Sequence, residues 1–157
     1  MTKEQINEYT LRISQANRSQ IVVILYDMAI QYIDDGIEAV RESDHEKLRE
    51  NCGHAGRVVS DLIGALDYSY ELALALRQCY VYIQSQISMA VIKNSEDQLL
   101  KAEEMLKKLR ESFEKVAQED TTKPLMSNTE SVYAGFTYGK SAVYDSLTTE
   151  VSRGYKV

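Results

Sequence analysis

The sequence predicts an all-α protein: an antiparallel up-down four-helix bundle with an N-terminal arm or short helix and an irregular C-terminal tail. Three observations support this prediction. The 157 residues contain a single proline, Pro124, so the strongest helix breaker is absent from everything before it. Apolar residues recur at steps of three and four in four successive segments. The links between these segments are short, which favours antiparallel neighbours.

The first bundle helix is predicted from residue 18 to about residue 43, with Asn17 as its capping residue. Its core stripe consists of Val22, Tyr26, Ala29, Ile33, Gly36 and Val40. A second stripe, made of Ile21, Leu25, Met28 and Tyr32, runs beside the first. A helix that faces one core needs only one apolar stripe. We therefore expect a further segment or a partner to cover the second stripe.

Three more helices are predicted over residues 44–67, 69–93 and 95–118. Asp44 caps the first of them, and Ser95 with Gln98 forms a capping-box pattern at the start of the last. The expected bundle core is Val22, Ala29, Ile33, Ala55, Val59, Leu62, Leu76, Ile83, Leu106, Leu109 and Phe113. Cys52 and Cys79 fall on core stripes, so we expect buried free thiols. Two cysteines without CxxC spacing fit a reducing cytoplasm.

The domain organisation predicted from these patterns is an arm over 1–17, the bundle over 18–120 and an aromatic tail over 121–157. We expect the arm to cover the second stripe as a lid, through Ile6, Tyr9 and Ile13. The tail is the alternative cover. Its apolar residues are Val132, Tyr133, Phe136, Tyr138, Val143, Tyr144 and Leu147.

Composition excludes several function classes. With 24 acidic and 18 basic residues, the net charge of −6 repels a phosphate backbone, so nucleic acid is not an expected partner. The longest apolar run, Ile21 to Tyr26, is far too short to insert into a membrane, and the N-terminus lacks the apolar segment of a signal peptide. A soluble cytoplasmic protein is expected.

Catalytic and metal-binding patterns are also missing. Only one Glu-x-x-His pair occurs, Glu42 with His45, whereas a di-metal bundle needs two. No nucleophile elbow, Walker loop or dinucleotide fingerprint is present. We expect no cofactor, no metal and no enzymatic activity. The alternative is a histidine phosphotransfer bundle that uses His54, with Arg57 to pair the phosphoryl group. The Lys-Gly pair that follows the histidine in that family is absent, and a structural histidine at the edge of a core stripe is the simpler interpretation.

One segment of the chain resembles a known family. The stretch from Ile13 to Ile21, followed by Ile24-Leu25-Tyr26-Asp27-Met28-Ala29-Ile30, is similar to the start of the flagellin-specific export chaperones, the FliS family. Further matches follow in order at Leu62 to Asp67, Glu71 to Ala73, Leu76, Tyr80, Tyr82, Lys93-Asn94 and Leu109 to Phe113. The sequence departs from the family pattern at Arg18 (proline), Met28 (glycine), Tyr70 (glycine) and Phe113 (tryptophan).

The resemblance implies a chaperone without ATPase activity that binds the disordered C-terminal segment of flagellin. It would block premature polymerisation and escort the subunit to the flagellar type III export gate, acting as a monomer or weak homodimer. Recognition would place helices of flagellin in apolar grooves. The candidate flagellin-binding residues are Ile21, Leu25, Tyr26, Met28, Tyr32, Leu76, Tyr80 and Ile83.

Overall fold

The structure is a computed structural model that describes residues 1–126, all of whose regular elements are helices. The helices are α1 (Lys3–Gln15), α2 (Arg18–Arg41), α3 (His45–Gly64), α4 (Leu72–Lys93) and α5 (Glu96–Glu119). The predicted four-helix bundle is α2 to α5, and the predicted arm is the separate helix α1. The tail residues proposed above as an alternative cover lie outside the described residues.

Side-chain contacts show that neighbouring bundle helices run antiparallel. Near one end of the bundle, Arg41 Nε of α2 lies 2.8 Å from Glu96 Oε2 of α5. At the opposite end, Ser19 donates a hydrogen bond to the carboxylate of Asp120. The Tyr32 ring of α2 stacks on the His54 ring of α3 at 4.9 Å between centroids. The helices α2, α3, α4 and α5 therefore follow one another around the bundle, and α2 lies diagonally opposite α4.

Capping explains where most of the helices begin and end. The Asn17 side chain accepts a hydrogen bond from the backbone amide of Gln20 at 2.9 Å, and the Gln20 side chain accepts one from the backbone amide of Asn17 at the same distance. Asp44 accepts from the backbone of Lys47 at 3.0 Å. Asn94 ends α4 in the left-handed conformation at φ 49°. The capping box expected at Ser95 is wrong: the Ser95 side chain makes no capping bond, and the buried side-chain oxygen of Gln98 accepts no hydrogen bond.

The core occupies the space between all four bundle helices. Seven of the residues expected there are fully buried: Ala29, Ile33, Ala55, Val59, Leu62, Ile83 and Leu106. The other four, Val22, Leu76, Leu109 and Phe113, are only partly buried against the core. Cys52 is buried as expected, but Cys79 is half-buried, so the prediction of two core thiols is right for Cys52 alone. Gly36 allows a close approach of α5, because a Cβ there would lie 3.3 Å from Leu99.

The bundle differs from the expected bounds mainly between α3 and α4. The sequence pattern predicts α3 to reach residue 67 and α4 to start at 69, whereas α3 ends at Gly64 and α4 starts at Leu72. Asp67 causes part of this difference by accepting hydrogen bonds from the backbone and the hydroxyl of Ser69, at 2.9 and 2.6 Å. Within residues 1–126, no helix has the length and apolar character needed to span a membrane.

Candidate functional site

An apolar groove opens at the end of the bundle where α3 leads into α4. Its volume is about 350 Å³. We call it the end groove; it is lined by Val22, Leu62, Ala65, Leu66, Asp67, Tyr70, Leu72, Ala73, Leu76, Tyr80 and Phe113. The lining is almost entirely apolar, and residues of the α3–α4 link form part of it.

The rim of the end groove comes from the α3–α4 link and the first turn of α4. Tyr70 and Leu72 are each 69% exposed. The hydrogen bonds between Asp67 and Ser69 fix the turn that precedes them, and the same bonds lower the pKa of the Asp67 carboxyl. Large apolar side chains exposed beside a defined turn are typical of surfaces that contact a protein partner.

A cluster of three aromatic rings lies at the bottom of the end groove, where Tyr80 and Phe113 line the groove and Tyr26 is buried directly beneath them. Tyr26 and Tyr80 share a hydrogen bond of 2.5 Å between their hydroxyls, and both side chains are buried. The Phe113 ring lies 5.5 Å from that of Tyr26. Burial raises the pKa of both tyrosines, so each hydroxyl stays protonated and neutral at physiological pH. The floor therefore presents an uncharged aromatic surface.

The helix α1 packs on the outer side of α2, away from the core. The Arg12 guanidinium of α1 lies 2.6 Å from the Asp27 carboxylate of α2. Arg110 of α5 pairs with the same carboxylate, and Asp27 is only 15% exposed. Beside this ion pair, α1 and its linker help to bury Val23 and Ile24 of α2.

A comparison with known families decides the identity of this fold. The family model described as flagellar protein FliS matches residues 2–120, which is well over half of the chain. The chain belongs to the FliS family. The flagellar secretion chaperone FliS of Bacillus subtilis (strain 168) is 22% identical over 108 residues, which cover 69% of this chain and 81% of the relative. The chain is therefore a chaperone of the flagellum, from a family that is in general non-enzymatic.

The candidate residues taken from the FliS resemblance fall into three places. Leu76 and Tyr80 line the end groove. Tyr26 and Ile83 are completely buried in the core, with Tyr26 directly beneath the groove. The second stripe on α2, consisting of Ile21, Leu25, Met28 and Tyr32, is half-buried. The structure thus brings Leu76 and Tyr80 together and keeps the second stripe on another face.

The expected lid residues sit on α1 with different degrees of burial. Tyr9 and Ile13 are half-buried, whereas Ile6 is 47% exposed. The ion pair between Arg12 and Asp27 joins α1 to the FliS-like segment of residues 24–30 in α2. The helical state of α1 had its own signal, since Thr2 and Gln5 form a capping box.

Sequence reasoning missed the rim of the FliS groove. Tyr70 and Leu72 were not among the candidate residues, although an apolar run directly after a turn is a visible signal. Tyr70 and Phe113 both line the groove, and both are positions where this sequence departs from the family pattern. Two large rings therefore line the groove at these positions.

The features needed for phosphotransfer or metal binding are not assembled around His54. One face of its ring stacks on Tyr32, and its Nδ1 lies 2.8 Å from the Arg57 guanidinium. Its Nε2 faces the Glu50 carboxylate at 3.8 Å, where a phosphoryl group would be repelled. Among residues 1–126, no three His, Cys, Asp or Glu side chains group to hold a metal ion. We therefore interpret His54 as a structural residue between α2 and α3.

Proposed function

We propose that this chain binds the disordered C-terminal segment of flagellin in the end groove. By holding that segment it prevents premature polymerisation in the cytoplasm, and it then escorts the subunit to the flagellar type III export gate. The observation that carries the proposal is the preformed apolar end groove, with Tyr70 and Leu72 exposed at its rim in a member of the FliS family.

Binding in this groove is helix-in-groove recognition. A flagellin segment that is unstructured alone folds an amphipathic helix against Leu76, Tyr80 and Phe113, with Tyr70 and Leu72 closing over its sides. Tyr26 and Ile83 support the groove from below without touching the ligand. Ordering the segment costs several kcal/mol of the interaction energy, which keeps the complex reversible for hand-over.

The second stripe of α2 provides a further surface for the same segment. Its residues are half-buried, and α1 packs against the neighbouring side of α2. We propose that α1 leaves α2 when flagellin binds, so that Ile21, Leu25, Met28 and Tyr32 become available. Tyr9 and Ile13 then act as a lid that flagellin displaces, with Ile6 on its solvent side.

The test compares two leucines on the same turn of α4. Leu72 lines the groove and is 69% exposed, whereas Leu74 is 64% exposed and does not line the groove. Burying most of one leucine side chain contributes about 1–2 kcal/mol, so Leu72→Ser should weaken binding about 5- to 30-fold. Isothermal titration of the full chain with a peptide of the flagellin C-terminal segment, without nucleotide or metal, measures the affinity. Leu74→Ser should bind like the unmodified chain. Equal affinity for both variants and the parent would refute the groove as the binding site.

A further inference from the structure

The C-terminal tail leaves the bundle at the same end as the end groove. The Asn17 side chain donates hydrogen bonds to the backbone carbonyls of Asp120 and Thr122, each at 3.2 Å. The backbone amide of Leu125 donates to the carbonyl of Ala16 at 3.1 Å. These contacts fix the starting point of the tail beside the first turn of α2.

The groove is close to this starting point along the bundle axis. Val22 lies five residues after Asn17, about 7.5 Å along α2. Phe113 lies six residues before Glu119, the last residue of α5, which is about 9 Å along that helix. Both side chains line the groove, so the tail begins within roughly one and a half to two helical turns of its wall.

The tail carries an internal repeat that suits an apolar aromatic groove. The pattern Val132-Tyr133-x-x-Phe136 recurs eleven residues later as Val143-Tyr144-x-x-Leu147. Each copy places an aliphatic side chain, a tyrosine ring and a large apolar side chain within five residues. Neither the bundle fold nor the FliS match, which ends at residue 120, accounts for this repeat.

The length and charge of the tail both permit contact with the groove. Val132 is seven residues beyond Leu125, and an extended chain of that length spans up to about 23 Å. This is about twice the diameter of a helix. From Ser127 to Val157 the chain has three basic and three acidic residues, so it carries no net charge and is not repelled by the acidic bundle.

We propose that the repeated Val-Tyr segments of residues 132–147 bind the end groove of their own chain. A short tether gives an effective concentration in the millimolar range, so even a contact with a dissociation constant near 1 mM occupies the groove for about half of the time or more. A partner that binds the groove with micromolar affinity displaces such a contact. The tail is thus an internal competitor that keeps weak apolar ligands out of the groove.

A tryptophan reporter tests this contact directly. The chain contains no tryptophan, so Tyr70→Trp introduces a single one at the rim of the groove. In the full chain we compare acrylamide quenching of this reporter with and without the substitutions Tyr133→Ser and Tyr144→Ser. Loss of the tail contact should raise the quenching constant at least about twofold. A control outside residues 132–147, Tyr155→Ser, should leave it unchanged.

Two further measurements separate the other outcomes. Equal quenching in all three chains would refute the proposal. A protection that disappears on dilution from about 100 to 1 μM would assign the groove to the tail of a second copy, which also overturns binding in cis. A second reporter, Leu74→Trp, lies outside the groove and should not respond to the tail substitutions. Hydrogen exchange of residues 65–76, without any reporter, should be faster once Tyr133 and Tyr144 are replaced.

Competition with flagellin rests on the proposed function and is measured separately. If the tail occupies the groove for half of the time, replacing Tyr133 and Tyr144 should tighten the binding of the flagellin peptide about twofold. A change in the quenching constant without a change in peptide affinity would refute the groove as the flagellin site, but it would still support the tail contact. An unchanged quenching constant would refute the tail contact, whatever the measured affinity for the peptide.

Discussion

The ion pair between Arg12 and Asp27 should control how often α1 leaves α2. α1 packs on α2 and on no other helix of the bundle. The Arg12 guanidinium lies 2.6 Å from the Asp27 carboxylate. We expect Arg12→Gln to loosen α1 while leaving the four-helix core intact, because Arg12 does not contribute to that core.

The size of the effect follows from the exposure of the two partners. Exposed ion pairs contribute about 0.2–1 kcal/mol, and breaking a buried pair costs about 3–5 kcal/mol. Arg12 is 38% exposed and Asp27 is 15% exposed, and Asp27 keeps Arg110 as a second partner. We therefore expect Arg12→Gln to lower the free energy of opening α1 by about 1–2 kcal/mol. This change multiplies the open population of α1 about 5- to 30-fold.

Native-state hydrogen exchange measures this opening. The amides of residues 9–15 should exchange about 5 to 30 times faster in Arg12→Gln, with unchanged exchange in α3 and α4. The matched control is Lys108→Gln, which removes an ion pair with Glu104 whose two partners are each about two-thirds exposed. The control should leave exchange in α1 unchanged. The reasoning is refuted if Arg12→Gln also leaves α1 exchange unchanged, or if it accelerates exchange throughout the bundle.

Three further predictions concern the core, the pH dependence of stability and the thiols. Tyr80→Phe leaves the buried hydroxyl of Tyr26 without a partner and should lower the free energy of unfolding, measured by chemical denaturation, by about 1–3 kcal/mol. Replacing both Tyr26 and Tyr80 by Phe should lower it by less than the sum of the two single replacements. Burial and the neighbouring Glu103 carboxylate raise the pKa of Asp34 to about 6. Because the folded state binds this proton more tightly, the free energy of unfolding should rise as pH falls from 8 to 5, and Asp34→Asn should remove about 1 kcal/mol of that rise. Burial raises the pKa of Cys52 to about 11, so a thiol reagent at pH 8 should label Cys79 at least about 100 times faster than Cys52; equal rates would contradict this.

The helical bundle could be predicted because its information is local and repetitive. Steps of three and four in the apolar pattern identified all four bundle helices, and Asn17 and Asp44 marked the starts of two of them. The end of α3 was misplaced because Leu66 continues the apolar period. The competing preference, the Asp67–Ser69 turn, depends on side-chain hydrogen bonds that periodicity does not register.

The candidate site was harder to predict because it combines residues that are distant in sequence. Val22, Leu76 and Phe113 fit core stripes equally well, yet all three line a surface groove where the bundle opens. Whether a residue on a stripe faces the closed core or an open end depends on its height in the bundle. The α3–α4 link, which forms part of the open end, is longer than the apolar pattern predicted.

Ala16 and Asn17 form a mechanical pivot shared by both ends of the chain. These two residues link α1 to α2, and the same two residues hold the backbone of Asp120, Thr122 and Leu125. An α1 that swings away from α2 must turn about this pivot, and its rotation acts on the anchor of the tail. If a ligand displaces α1 as proposed, we expect these shared contacts to transmit the movement to the start of the tail. Cutting the linkage, for example with Asn17→Gly, would let the two segments move independently.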